Sequence, residues 1–176
     1  KCGRQRKGLF MKRIILMVLC LLYKVPGWFY KMCRMAGDKE HKKYNDMERY
    51  RFLQMITKRA NRAGRIHIEC FGHENLPEND GFVLFPNHQG LFDGLIFFET
   101  MERPFSIIMK KEVENLILVK QVREIIGAKL MDREDLRQSM TVIREVTKEV
   151  REGRNYIIFA EGNRSRKGNE ILEFKG

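Results

Sequence analysis

No apolar run in this chain is long enough to cross a membrane as one straight helix. The longest, residues 14–23 (IILMVLCLLY), has ten residues, about half of the roughly 20 a spanning helix takes. Lys24 and Pro26 interrupt it. Cysteine is scarce: Cys2, Cys20, Cys33 and Cys70 form no Cys-x-x-Cys pair and have no histidine at metal-ligand spacing. That argues against a zinc module, and the four read as reduced, small apolar fillers, a usage that fits a reducing cytoplasm. A Gly-x-Ser-x-Gly nucleophile elbow is missing, as are clustered carboxylates for Mg²⁺, internal repeats and low-complexity tracts. Acidic residues are rare at one end only. Residues 1–65 hold 4 Asp/Glu against 18 Lys/Arg, whereas residues 66–176 hold 19 against 16. The net charge of +11 therefore belongs to the N-terminal third, which suits a surface facing polyanions; on charge alone anionic lipid and nucleic acid both qualify.

What is present is enough for a packed core: 43% of 176 residues are apolar, consistent with one ordinary domain plus an appendage. The chain opens without Met and stops at Phe174-Lys175-Gly176 with no capping pattern, so it reads as a fragment cut at one or both ends. A second apolar patch, Val25, Trp28, Phe29, Tyr30 and Met32, follows the ten-residue run, with Lys and Arg flanking both. Trp28 and Tyr30 suit the headgroup level of a bilayer. The spacing predicts a short helix, a turn at Pro26-Gly27 and a second short helix lying in one leaflet. A signal peptide has a similar outline, but no small-x-small cleavage site follows Tyr23; a buried core helix is the third reading. Residues 45–63 predict a helix capped by Asn45 or Asp46, with Met47, Tyr50, Leu53, Ile56 and Ala60 near helical spacing and a basic remainder that is either solvated or set against anionic lipid.

From Arg65 onward strands and helices alternate. Ile66, Ile68 and Cys70 alternate with His67 and Glu69 as in a half-buried strand. Residues 81–85, 105–109, 126–131 and 156–160 are further strands; helices are predicted at about 93–102, 113–125 and 135–152. Asp135 caps the last helix, Leu136, Met140, Ile143, Val146 and Val150 form its stripe, and Gly153 ends it. This pattern implies an α/β fold with a mainly parallel or mixed sheet flanked by helices. In such sheets ligands gather at the carboxyl ends of the strands, and the conspicuous polar residues fall there: Asn87-His88, Lys110, Asp132-Arg133, and Glu161 with Arg164. Three cations, one imidazole and two carboxylates suit a phosphate ligand and a proton transfer.

Asp93 stands five residues after His88, about 140° away on one straight helix. The two meet if His88 lies in a turn and Asp93 in the first helical turn. Asp93 then fixes the imidazole tautomer and stabilises the imidazolium, while the free nitrogen takes a proton from an alcohol attacking a carbonyl. The bland alternative is a satisfied surface pair. Glu161-Gly162-Asn163-Arg164-Ser165 follows an apolar strand with Gly162 at a tight turn, and Arg164 can grip phosphate oxygens bidentately; otherwise it is a loop of solvated charges, and Lys110 and Arg133 are surface cations.

Joined in this order, the elements resemble the glycerolipid acyltransferase family, which includes 1-acylglycerol-3-phosphate acyltransferases. Residues 87–93 resemble its His-x4-Asp block, 109–113 its Lys-x-Glu-aliphatic segment, 127–133 its Gly-to-Arg block and 159–165 its Glu-Gly-x-Arg-Ser block; Phe174-Lys175-Gly176 is similar to the start of the next. Gly90, Asn163 and Ala160 depart from the usual Ser, Thr and Pro, and the final apolar, Pro-containing block does not appear. The resemblance implies an acyltransferase domain over residues 65–176, truncated at its C-terminus, behind a membrane-attachment region over residues 1–64. It implies His88 as general base, Asp93 as its orienting partner, and Lys110, Arg133 and Arg164 on the acceptor phosphate. Glu161 and Gly162 then shape the loop beneath, with Glu161 also placed to contact the acceptor. The donor is an acyl-CoA or acyl-carrier-protein thioester, with no bound cofactor, metal or covalent acyl-enzyme implied. The acceptor is lysophosphatidic-acid-like; glycerol-3-phosphate or another lysophospholipid remains open. Expected partners are these substrates and an anionic membrane surface at the cytoplasmic face, with a peripheral or monotopic attachment; nucleic acid is not expected. Rival readings are a phosphatase or nucleotidyl hydrolase, a non-catalytic basic module binding membrane or nucleic acid, and an inactive relative.

Overall fold

The computed structural model describes residues 2–87 and 92–159, with side chains from residue 11 onward. Three helices come first: α1 (Cys2–Leu21), α2 (Val25–Gly37) and α3 (Asp46–Ala63). The break between α1 and α2 falls at residues 22–24, and Pro26 occupies the first turn of α2. A proline there needs no backbone donor and has its φ preset for a helix, so the expected Pro26-Gly27 turn is instead a helix start. No single described helix is long and apolar enough to cross a membrane, but Met11–Leu21 and Val25–Gly37 pass that test as a pair bent by 85°. The apolar side chains of this pair are largely outside the core: Ile15, Val18, Leu19, Leu22 and Tyr23 are all at least half exposed.

Helix α3 begins with a reciprocal cap. The Asn45 side chain accepts from the Glu48 N–H at 2.8 Å, and Glu48 accepts from the Asn45 N–H at 2.9 Å, which satisfies two of the donors every helix N-terminus leaves open. Tyr50, Phe52 and Leu53 face the core. The Tyr50 hydroxyl donates to the Met101 carbonyl at 2.9 Å, and its ring lies 5.8 Å from Phe98 and 5.5 Å from Phe105. Burial pushes this phenol well above its ordinary range, so it stays a donor. At the turn before α3 the buried guanidinium of Arg49 pairs with Asp38 at 3.0 Å and donates to the Tyr44 carbonyl at 3.0 Å.

The remaining elements alternate: β1 (Val83–Leu84), α4 (Asp93–Thr100), β2 (Phe105–Lys110), α5 (Val119–Ile126), β3 (Lys129–Met131), α6 (Leu136–Arg151) and β4 (Asn155–Ile157). The sheet order is β1-β4-β2-β3, and each neighbouring pair is parallel, with Val83 opposite Tyr156, Phe105 opposite Asn155 and Lys110 opposite Met131. The α/β reading holds. The expected strand at 66–70 does not: Ile66 and Ile68 are half-buried between exposed neighbours, but among the described residues no partner strand receives the segment, and the Ile66 N–H instead caps the α3 end at the Asn61 carbonyl, 2.9 Å away.

Helices α3, α4 and α5 cover one face of the sheet around Phe82, Phe98, Phe105, Ile107, Ile125 and Ile157. Helix α6 covers the other, where its Val142 and Val146 pack with Tyr156 of β4. Crossovers between parallel strands are right-handed. The chain advances from β1 to β2 to β3 with helices on one face, then turns back to β4, which puts α6 on the opposite face. The stripe of α6 holds as expected at Val146 and Val150, but Val142 replaces the residues expected before them. Leu136, Met140 and Ile143 are 75%, 45% and 48% exposed, because Gln138 and Ser139 occupy the sheet-facing line of the first turn with the hydrogen bonds described below. The expected strand at 126–131 is shorter because Ile126 still belongs to α5 and Gly127 ends it in the left-handed region at φ +61°. A Cβ there would meet the Arg154 guanidinium at 2.4 Å. The cysteines also differ: Cys20, Cys33 and Cys70 are free but exposed, so they fill no core.

Candidate active site

With parallel strands, every strand exit opens on one edge. There β1 leads into Phe85-Pro86-Asn87, β2 ends at Lys110, β3 leads into Asp132-Arg133, and β4 leads into Ile158-Phe159. Asp93 is the first residue of α4, the helix that carries the chain from this edge back to the start of β2. Asp93 and Lys110 are half-buried and Arg133 is exposed. The structure thus brings Asp93, Lys110 and Arg133 to the same edge of the sheet, and Asp93 has the first-turn position expected of it. His88, Glu161, Gly162 and Arg164 lie outside the described residues. Their nearest described neighbours in sequence, Asn87 and Phe159, both stand at this edge. Phe97 of α4 meets Phe159 edge-on at 6.3 Å, which ties the helix bearing Asp93 to the exit of β4.

The neighbouring strands β2 and β3 send their following helices to opposite faces of the sheet. Such a switch point leaves a crevice at the carboxyl ends, where ligands of open α/β sheets are held. Lys110 and Met131 pair across it, and Lys111 bonds Asp132 at 3.0 Å. That bond holds the Asp132 carboxyl below its usual value and the Lys111 ammonium above its own, so both stay charged and the pair links the segments that follow β2 and β3.

The turn carrying Arg133 is pinned by hydrogen bonds that the sequence did not announce. Asp132 Oδ1 accepts from the Glu134 N–H at 3.0 Å. Gln138 Oε1 accepts from the Asp132 N–H at 2.9 Å, and its Nε2 donates to the Leu130 carbonyl at 2.8 Å. The Ser139 hydroxyl donates to the Asp132 carbonyl at 2.7 Å, and Asp135 caps α6 by accepting from the Gln138 N–H at 3.0 Å. Gln138 therefore reads the strand end on one side and the turn on the other, which leaves Arg133 on a fixed base with its side chain in solvent. The available signal was the position of Gln138, three residues into a helix that opens on Asp135 just past β3.

The opposite edge holds a cavity of about 370 Å³ lined by Asp46, Asp80, Phe105, Glu149, Arg154 and Asn155 among others. Its polar groups hold the fold together. Glu149 takes bonds from Lys129 at 2.6 Å, Tyr156 at 2.6 Å and Arg154 at 3.1 Å; Asp80 takes Arg103 at 3.3 Å and Asn155 at 2.9 Å. Among the described residues no three His, Cys, Asp or Glu side chains converge as metal ligands.

A family model described as Acyltransferase matches residues 67–176, the stretch containing all four described strands. The chain is 32% identical over 111 residues to the 1-acyl-sn-glycerol-3-phosphate acyltransferase of Borreliella burgdorferi, an overlap of 63% of this chain and 44% of that protein. The chain thus matches less than half the length of this curated relative. Its fold is similar to the crystal structure of the 1-acyl-sn-glycerophosphate (LPA) acyltransferase PlsC from Thermotoga maritima, with a TM-score of 0.68 and 22% identity, covering 93% of this chain and 66% of that one. With the family model spanning well over half of its residues, the chain belongs to the acyltransferase family.

Proposed function

We propose that this protein transfers a fatty acyl group from an acyl-CoA or acyl-carrier-protein thioester to the free hydroxyl of a 1-acylglycerol-3-phosphate, giving phosphatidic acid. The observation that carries this reading is the common edge. Asp93 in the first turn of α4, Lys110 at the end of β2 and Arg133 just past β3 share the carboxyl side of one parallel sheet, a carboxylate beside cations where a phosphate and a proton transfer must be handled together. The name of the Borreliella burgdorferi relative favours the acceptor over glycerol-3-phosphate.

In this reading His88 is the general base and Asp93 orients it. The imidazole takes the hydroxyl proton as the oxygen attacks the thioester carbonyl. The tetrahedral adduct collapses, the C–S bond breaks, and the departing thiolate receives the proton back from the imidazolium. General-base help of this kind is worth roughly 10²- to 10⁴-fold. Lys110, Arg133 and Arg164 hold the acceptor phosphate, and Glu161 with Gly162 shapes the loop beneath it. The basic N-terminal third, with its bent apolar pair α1 and α2, supports a peripheral or monotopic seat on an anionic cytoplasmic membrane face rather than a nucleic-acid partner.

Release of free thiol from an acyl thioester, followed against acceptor concentration, tests the assignment. His88→Ala is expected to lower kcat by at least about 10²-fold with little change in acceptor binding, and Arg164→Ala to act mainly on the acceptor KM. Full turnover by His88→Ala would remove the general base from the mechanism.

A further inference from the structure

Between β2 and α5 the chain exposes three consecutive aliphatic side chains. Leu116 is 54% exposed, Ile117 82% and Leu118 53%. A soluble surface scatters single apolar residues but rarely lines up three large ones at a loop tip. The tip is built rather than loose. The Leu116 N–H bonds the Val113 carbonyl at 3.2 Å, the Lys120 N–H bonds the Leu116 carbonyl at 3.0 Å, and the Leu118 N–H bonds Gln121 Oε1 at 2.8 Å. Leu118 has φ +74° and ψ −45°, close to the centre of a γ-turn that side-chain-bearing residues avoid. A leucine held there keeps an apolar side chain on a turn where the backbone itself would accept glycine more readily.

The position gives the tip its meaning. It begins six residues after Lys110, on the carboxyl edge, and opens the helix that packs against α2. Lys111, paired with Asp132, and Lys120 flank it together with Glu112 and Glu114, and Lys110 and Arg133 stand at the strand ends behind it. An apolar tip ringed by charges of both signs matches a phospholipid bilayer, where the aliphatic groups enter the acyl region and the charged groups remain at the headgroup level. Three side chains fall well short of the roughly 800 Å² per side that a stable protein partner covers.

We propose that residues 116–118 form a membrane-inserting tip that seats the carboxyl edge of the sheet directly on a phospholipid bilayer, separate from any attachment made by α1 and α2. Seated in this way, the crevice between β2 and β3 opens at the depth of lipid phosphates.

The test is fluorescence of the full chain carrying Ile117→Trp with Trp28→Phe, mixed with phosphatidylcholine/phosphatidylglycerol vesicles that have brominated acyl chains. The expected result is a blue shift of the introduced indole and its quenching by bromine. A parallel sedimentation series should show Leu116→Ser/Ile117→Ser cutting vesicle partitioning about tenfold, the equivalent of roughly 1.4 kcal/mol, with unchanged circular dichroism. An indole that keeps its aqueous emission while the protein sediments with vesicles would overturn the proposal, because α1 and α2 would then be the whole attachment. So would failure to bind vesicles, or a blue shift without lipid that grows with protein concentration, which would mean that a second copy covers the tip.

Discussion

Gln138 shows how a residue just outside a conspicuous motif can set the geometry of a site. Its amide bridges the Leu130 carbonyl and the Asp132 N–H, so the turn bearing Arg133 cannot shift without losing both bonds. A neutral hydrogen bond is worth about 0.5–1.5 kcal/mol net. Gln138→Ala should therefore raise the acceptor KM about fivefold while kcat stays within about twofold, in the same thiol-release assay; a fall in kcat with KM unchanged would contradict a positioning role. Glu149 acts on stability instead. Burial alone would push its carboxyl up, but bonds from Lys129 and Tyr156 and the charge of Arg154 hold it below its ordinary value of 4.5. A carboxyl depressed in the folded state contributes stability above its unfolded value and loses that contribution as the pH falls through its folded one. Glu149→Gln should thus unfold more easily in urea at pH 7, and the gap from the parent protein should close as the pH is taken below about 4.5. A gap that widened in acid would reverse the sign argued here.

At the scale of elements, the legible parts were those that declare themselves locally. The helix at 45–63 carried its cap, Asn45 followed three residues later by Glu48, and the reciprocal bonds are present. Replacing that cap typically costs about 1 kcal/mol, so Asn45→Ala should lower the melting temperature by about 2–4 °C, measurable by circular dichroism; no change would mean that tertiary contacts hold α3 without its cap. Strand cores at 105–109 and around 156 were legible from apolar runs bounded by polar residues. The segment at 66–70 failed because alternation shows which side chains are buried, not whether a neighbouring strand offers a ladder. The first half of the α6 stripe was misread because Leu136, Met140 and Ile143 fit helical spacing with Val146 as well as the buried Val142 does; only the packed sheet distinguishes them. The helix expected from 113 starts at Val119 because residues 115–118 spend their conformational freedom on the exposed tip.

For the molecule as a whole, one topological fact converts scattered residues into a site. Once the strands are parallel, every residue just past a strand lies on one edge, which is why Lys110 and Arg133 were legible together from their places after strands, while Asp93 reaches the edge as the first residue of the helix that follows β1. The strand order was not legible. It rests on β4 inserting between β1 and β2, a choice made by the pairing of Tyr156 and Ile157 with both neighbours, and it is this order that places the switch between β2 and β3 beside Lys110. The central claim is that the acceptor phosphate sits at that switch. Its most direct test is the acceptor dependence of thiol release by Lys110→Met. The account predicts a KM raised at least about tenfold, as removal of a charge-assisted phosphate contact requires, with kcat within about threefold. An unchanged KM would place the phosphate elsewhere on the molecule and contradict the account.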